Sequence, residues 1–114
     1  MIENYTPHAL HIYQGDTVVA IIPSVGLARV AMAPPEDTGV VIVTDNGTEV
    51  PIYRTRATGV VTGLPAPRPG VWLVVSKMTT DAEPGRGDLL VPDDLVRNEK
   101  GVPIGCRSFA QPIY

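Results

Sequence analysis

The chain has 114 residues, of which 44% are hydrophobic and 18% charged, and its formal net charge is −3. That is the size of one ordinary domain, residues 1–114, and it is too apolar for a disordered polypeptide. The acidic balance argues against general attraction to long nucleic acid or to an anionic membrane.

The longest apolar runs cover only a few residues, so no segment is expected to span a membrane. Met1-Ile2-Glu3-Asn4 lacks the basic and apolar regions of a signal peptide. One cysteine, Cys106, has no partner within the chain and reads as a small, half-buried thiol in a reducing compartment. The expected location is therefore the cytoplasm.

Twelve Pro and eleven Gly punctuate the chain. Asn4 to His8 contains a turn, because Thr6 precedes Pro7 and is pushed extended. Leu10–Tyr13 reads as a strand, Gln14-Gly15-Asp16 as a hairpin turn, and Thr17–Ile22 as a β-branched strand. Leu27–Met32 is the next strand, and Pro34-Pro35-Glu36-Asp37 reads as a loop. Val40–Thr44 is strongly apolar and is followed by Asn46-Gly47, the strongest short hairpin signal.

Glu49–Arg56 resumes a strand in which Ile52, Arg54 and Arg56 share one face. Pro51 requires an edge position or a strand start there. Gly59–Gly63 follows, then a stiff Pro-rich connector over residues 64–70. Val71–Val75 is the most buried-looking strand, with Trp72 in the core. Ser76 caps a short helix over Lys77–Glu83, ended by Pro84-Gly85. Asp88–Pro92 is a short extended piece, Asp93-Asp94 opens a turn, and Val96 to Phe109 closes as a hairpin.

Strands recurring every ~8–12 residues with turns between them define the class. It is mostly β: a small single-domain β-sandwich or barrel-like fold with one short helix near residues 76–83.

No phosphate-binding glycine loop is present. His8 and His11 lie three apart in an extended stretch and are expected on opposite faces; no metal and no cofactor are assigned. Ser24, Ser76, Ser108 and Cys106 are possible nucleophiles, but nothing in the spacing joins one to a histidine base and an orienting acid. Asp88, Asp93 and Asp94 read as a solvated turn rather than an acid pair. No catalytic residue is assigned.

The basic residues are seven Arg against two Lys. A guanidinium presents a planar fork that grips carboxylates and phosphates through two bonds. Arg29, Arg54, Arg56, Arg86, Arg97 and Arg107 each sit on or beside a strand or loop, so several could converge on an anion. Surface ion pairs with the twelve carboxylates are the competing use.

The motifs Asn4-x-Thr6-Pro7-His8, Ile22-Pro23-Ser24, Ala28-Arg29-Val30 and Pro51-Ile52-x-Arg54-Thr55 occur in that order. Gly63-Leu64-Pro65-x-Pro67-x-Pro69-Gly70, Val74-Val75-Ser76, Arg86-x-Asp88, Val91-Pro92-Asp93, Val96-Arg97 and Ile104-Gly105 continue the series. Together they resemble a family of small phage and prophage proteins, along nearly the whole chain. Pro23-Ser24-Val25-Gly26 departs from that family's Pro-Ser-Gly, and Arg86-Gly87-Asp88 from its Arg-Asp-Asp kind of loop.

The resemblance implies a phage-type protein acting in the bacterial cytoplasm, and fixes no activity. By analogy of size and class, small phage proteins sequester nucleotide immune signals such as cyclic nucleotides or ADP-ribose derivatives. The leading expectation is a non-enzymatic, homo-oligomeric binding protein that holds a small anionic ligand. Arg29, Arg54, Arg86 and Arg97 would grip phosphates, and Thr6, His8, Ser76 and Asp88 would supply further contacts. Trp72 or a tyrosine is an alternative stacking surface for a base. Two other readings stay open: a structural, assembly or host-inhibiting interaction protein, and a small hydrolase using His8 with Asp88.

Overall fold

The computed structural model describes residues 1–114 and is mostly β, with one short helix. Ten strands form: β1 (Ile2–Asn4), β2 (Leu10–Gln14), β3 (Thr17–Ile22), β4 (Arg29–Met32), β5 (Glu36–Val43), β6 (Glu49–Arg54), β7 (Ala57–Thr62), β8 (Trp72–Val74), β9 (Leu89–Arg97) and β10 (Pro103–Ala110). The helix α1 (Lys77–Ala82) lies between β8 and β9. It starts where expected because the Ser76 hydroxyl accepts from the backbone N–H of Thr79. It ends where Pro84 brings no N–H to continue the ladder.

Six strands make one curled, half-barrel sheet in the order β1-β8-β9-β10-β2-β3. Of the two arrangements expected, sandwich or barrel-like, this is an open form of the second. β1 pairs with β8, β8 with β9, and β10 with β2 in parallel; β9–β10 and β2–β3 are antiparallel hairpins. Residues 24–28 run along the outer side of the first strand, where Val25 N donates to Asn4 O and Ala28 N to Tyr5 O. That segment shields the β1 edge, whereas β3 is an edge strand with Val18, Val19 and Ile21 exposed.

The remaining four strands leave this body. β4 pairs with β7 and β5 with β6, so residues 29–62 form one long two-stranded arm that folds back at Asn46-Gly47. Gly47 takes φ 86°, the left-handed turn conformation that an Asn-Gly hairpin requires. The root of the arm touches α1, while β5 and β6 pack chiefly on each other. Pro51 stands in this ribbon, where every strand is an edge, as its missing N–H demands.

Three local expectations are corrected. Glu36 and Asp37 are not loop but the first residues of β5, opposite Arg54 and Tyr53. Charged residues can begin a strand there because both faces of the ribbon meet solvent. Asp93 and Asp94 do not break the chain. Asp94 takes φ 46°, yet β9 stays paired on either side, with Asp93 opposite Ser108 and Leu95 opposite Cys106. Trp72 is not core: it is 40% exposed, while Leu73, Val74 and Val75 beside it are buried.

The hydrophobic core is small. Ala28, Leu73, Val75 and Leu89 form it, with Tyr5, Leu64 and Val71 packed around them. Cys106 is more deeply placed than expected, fully buried where β10 meets β2 and β9. No helix is long and apolar enough to cross a membrane.

Candidate functional site

Asn4 is completely buried and organises the N-terminal motif. Its Nδ2 donates to the carbonyls of His8 at 2.7 Å and Ile22 at 3.1 Å. Its Oδ1 accepts from the Thr6 N–H at 2.9 Å and lies 2.6 Å from the Thr6 hydroxyl. The Ser24 hydroxyl reaches the Thr6 carbonyl at 2.6 Å from the other side. The pattern Asn-x-Thr-Pro-His therefore closes a turn through its side chains, and Thr6 is occupied by that work. Asn4 is absent from the sequence-derived site; an Asn that bonds the N–H two residues on is the signal that marks it.

Arg86 and Asp88 meet, but on each other. Nε and one terminal nitrogen of Arg86 donate to the two carboxylate oxygens of Asp88, both at 2.9 Å, and the same terminal nitrogen reaches the Pro65 carbonyl at 2.9 Å. Both side chains are mostly buried. The hydrogen bonds from Arg86 hold the Asp88 carboxyl below the usual carboxylate range, and Asp88 in turn raises Arg86. This pair ties the Pro-rich connector to the loop before β9.

Ser76 is engaged at the start of α1, with its hydroxyl 3.1 Å from that of Thr79. Arg97 donates to the Gly101 carbonyl across the turn of the β9–β10 hairpin. Arg29 stands exposed on β4, opposite Thr62. The eight expected residues thus do not form one cluster. Thr6, Ser76, Arg86, Asp88 and Arg97 all have partners within the fold.

His8 and His11 both border one groove, with Ala9 and Leu10 between them. The groove has a volume of about 320 Å³, and Leu10, Pro92, Leu95 and Ile104 contribute apolar walls. Cys106 borders it, but burial pushes its thiol up, away from the reactive thiolate. No three His, Cys, Asp or Glu side chains are grouped to hold a metal ion.

A second cleft, of about 170 Å³, lies in the arm and is lined by Pro34, Glu36, Arg54, Thr55 and Arg56. Arg68, Arg86 and Arg107 are ion-paired, with Glu3, with Asp88, and with Asp16 and Asp94 respectively. Arg54 and Arg56 form no ion pair. Strand pairing at Glu36–Arg54 sets the cleft, and the chain leaving β6 adds Arg56. Here two uncommitted guanidinium groups share a concavity.

The fold and this cleft define a β-rich protein with an open half-barrel body, a projecting two-stranded arm and a small basic cleft within that arm. No protein-family model, curated protein or solved structure matches the chain.

Proposed function

We propose that the protein works by binding rather than by catalysis, and that its ligand is a small phosphate-bearing anion gripped by Arg54 and Arg56. The observation that carries this reading is their shared cleft, in which neither side chain is neutralised by an ion pair. Two forks on one concavity suit phosphate oxygens. The cleft volume suits a phosphate or diphosphate group, with the rest of the ligand outside it. The sequence resemblance supports a phage-type protein in a bacterial cytoplasm, and the analogy of size and class with small phage proteins supports a nucleotide-derived immune signal as the ligand.

The placement of Cys106, His8 and Asp88 supports the non-enzymatic part. His8 and His11 share a groove with a thiol that burial keeps protonated, and Asp88 is committed to Arg86. A histidine–carboxylate hydrolase would need His8 and Asp88 together, and Asp88 does not line the histidine groove.

Thermal unfolding with pyrophosphate, ADP-ribose, a cyclic dinucleotide and adenosine tests the reading. A phosphate-bearing ligand far above its Kd should raise Tm by several degrees. Adenosine should not, and the rise should vanish in Arg54→Ala and Arg56→Ala. No rise with any of the phosphates, or an equal rise in both variants, overturns it. Intact ligand recovered after heating the complex separates binding from hydrolysis.

A further inference from the structure

The arm carries an apolar run that the rest of the chain leaves uncovered. Val40, Val41, Ile42 and Val43 are 47–63% exposed, and Val50, Tyr53, Val60 and Met32 are exposed with them. Successive residues of a strand point to opposite faces. The register places Ile42 opposite Val50 and Val41 opposite Pro51, so both faces of the ribbon are apolar. Such uninterrupted runs belong to strands covered on both sides. An isolated two-stranded ribbon is marginal at best in water.

The dimensions agree. The accessible surface is 7664 Å², about 1,600 Å² more than a compact monomer of this mass exposes. The radius of gyration is 18.0 Å, against about 13 Å for a compact chain of this length. An excess of that size matches what one partner buries in an obligate interface, where the two sides together cover ~2,000–5,000 Å².

We propose that the arm, centred on Val40–Val43, is the interface through which a second copy of this chain completes the fold. A second copy fits better than an unrelated partner because the cover is needed for the ribbon itself to persist. The four-residue core of the body lies outside the arm strands β5 and β6 and does not cover them. A partner made at the same time and place as the chain satisfies that need in every molecule. The arm's formal charges are near balance, with Arg29, Arg54 and Arg56 against Glu36, Asp37, Asp45 and Glu49, so two arms do not repel strongly. This proposal goes beyond the anion reading and does not rest on it.

Sedimentation equilibrium in phosphate-free buffer at micromolar concentration tests it. The wild-type mass should be at least twice 12.2 kDa, and Tm should rise with protein concentration. Ile42→Glu alters one face of the ribbon and Val43→Glu the other; at least one should reduce the mass to that of a single chain. A wild-type mass of 12.2 kDa overturns the proposal, even where that monomer captures some other protein. An unchanged oligomer in both variants also overturns it.

Hydrogen exchange on the wild type decides the matter where the variants do not fold. Amides of Val40–Val43 protected to the level of β9 and β10 support a covered arm. Exchange within seconds, while β9 and β10 stay protected, refutes it. Because the mass is read without phosphate, failure at Arg54 and Arg56 leaves this result untouched.

Discussion

The carboxamide oxygen of Asn4 lies 2.6 Å from the hydroxyl of Thr6, and the carboxamide nitrogen holds two carbonyls on the far side. One buried side chain therefore joins the first strand, the turn after it and the end of β3. Asn4→Asp keeps the acceptor toward Thr6 but turns a carboxylate toward the carbonyls of His8 and Ile22. It should cost about 2–4 kcal/mol in urea unfolding. Thr6→Val, which loses only the hydroxyl, should cost about 1–2 kcal/mol.

Asp88 gives the stability a defined pH dependence. Its folded carboxyl titrates below the unfolded value of ~3.9, because Arg86 donates to it. Its contribution is complete above the unfolded value and is lost as pH falls through the lower, folded one. Tm followed from pH 6 to pH 2 should therefore fall less steeply below pH 4 in Asp88→Asn than in the wild type. The variant should start from a lower Tm at pH 6.

Cys106 should resist a thiol reagent at pH 8. Its sulfur is buried and its pKa is raised, so both access and thiolate content are low. Complete labelling should require denaturant. Rapid, stoichiometric labelling of the folded protein would contradict the packing of β10 between β2 and β9.

Gly63 closes the root of the arm. It takes φ 79°, and a Cβ there would overlap the Leu27 carbonyl oxygen. Gly63→Ala should therefore destabilise the protein by on the order of 3 kcal/mol in urea unfolding. Gly85→Ala, where a Cβ meets open space, serves as the control and should change stability little.

Much of the local architecture is legible in the residues. The β-branched run Thr17–Ile22, the Asn46-Gly47 turn and the Ser76 cap each specify their element through short-range chemistry. Asp93-Asp94 misleads because turn residues are also tolerated within a twisted strand, where Asp94 takes a positive φ and keeps its neighbours paired. The parallel pairings are silent in sequence, since they join residues far apart, such as Ile12 and Cys106.

The site is less legible than the fold. The type of a residue tells what it can bind, but not which partner reaches it first. Arg86 could have gripped a ligand phosphate; Asp88, two residues away, takes its fork instead. Arg54 and Arg56 lie in the projecting arm, apart from the acids that pair with Arg68, Arg86 and Arg107, and form no ion pair with Glu36 in their own cleft. The Val40–Val43 run looks like an ordinary core strand until its surroundings are known.

Pairing Ile2 with Trp72 and Ile12 with Cys106 also sets an order of events. The hairpin around Asn46-Gly47 closes between near neighbours, on a timescale of ~1–10 μs. The central sheet must wait for both ends of the polypeptide to meet, which is slow for such distant contacts. The valine-rich segment is thus uncovered, its ribbon forming only transiently, before there is a body to carry it. Refolding yield should accordingly decline as protein concentration rises, through premature clumping of half-made chains.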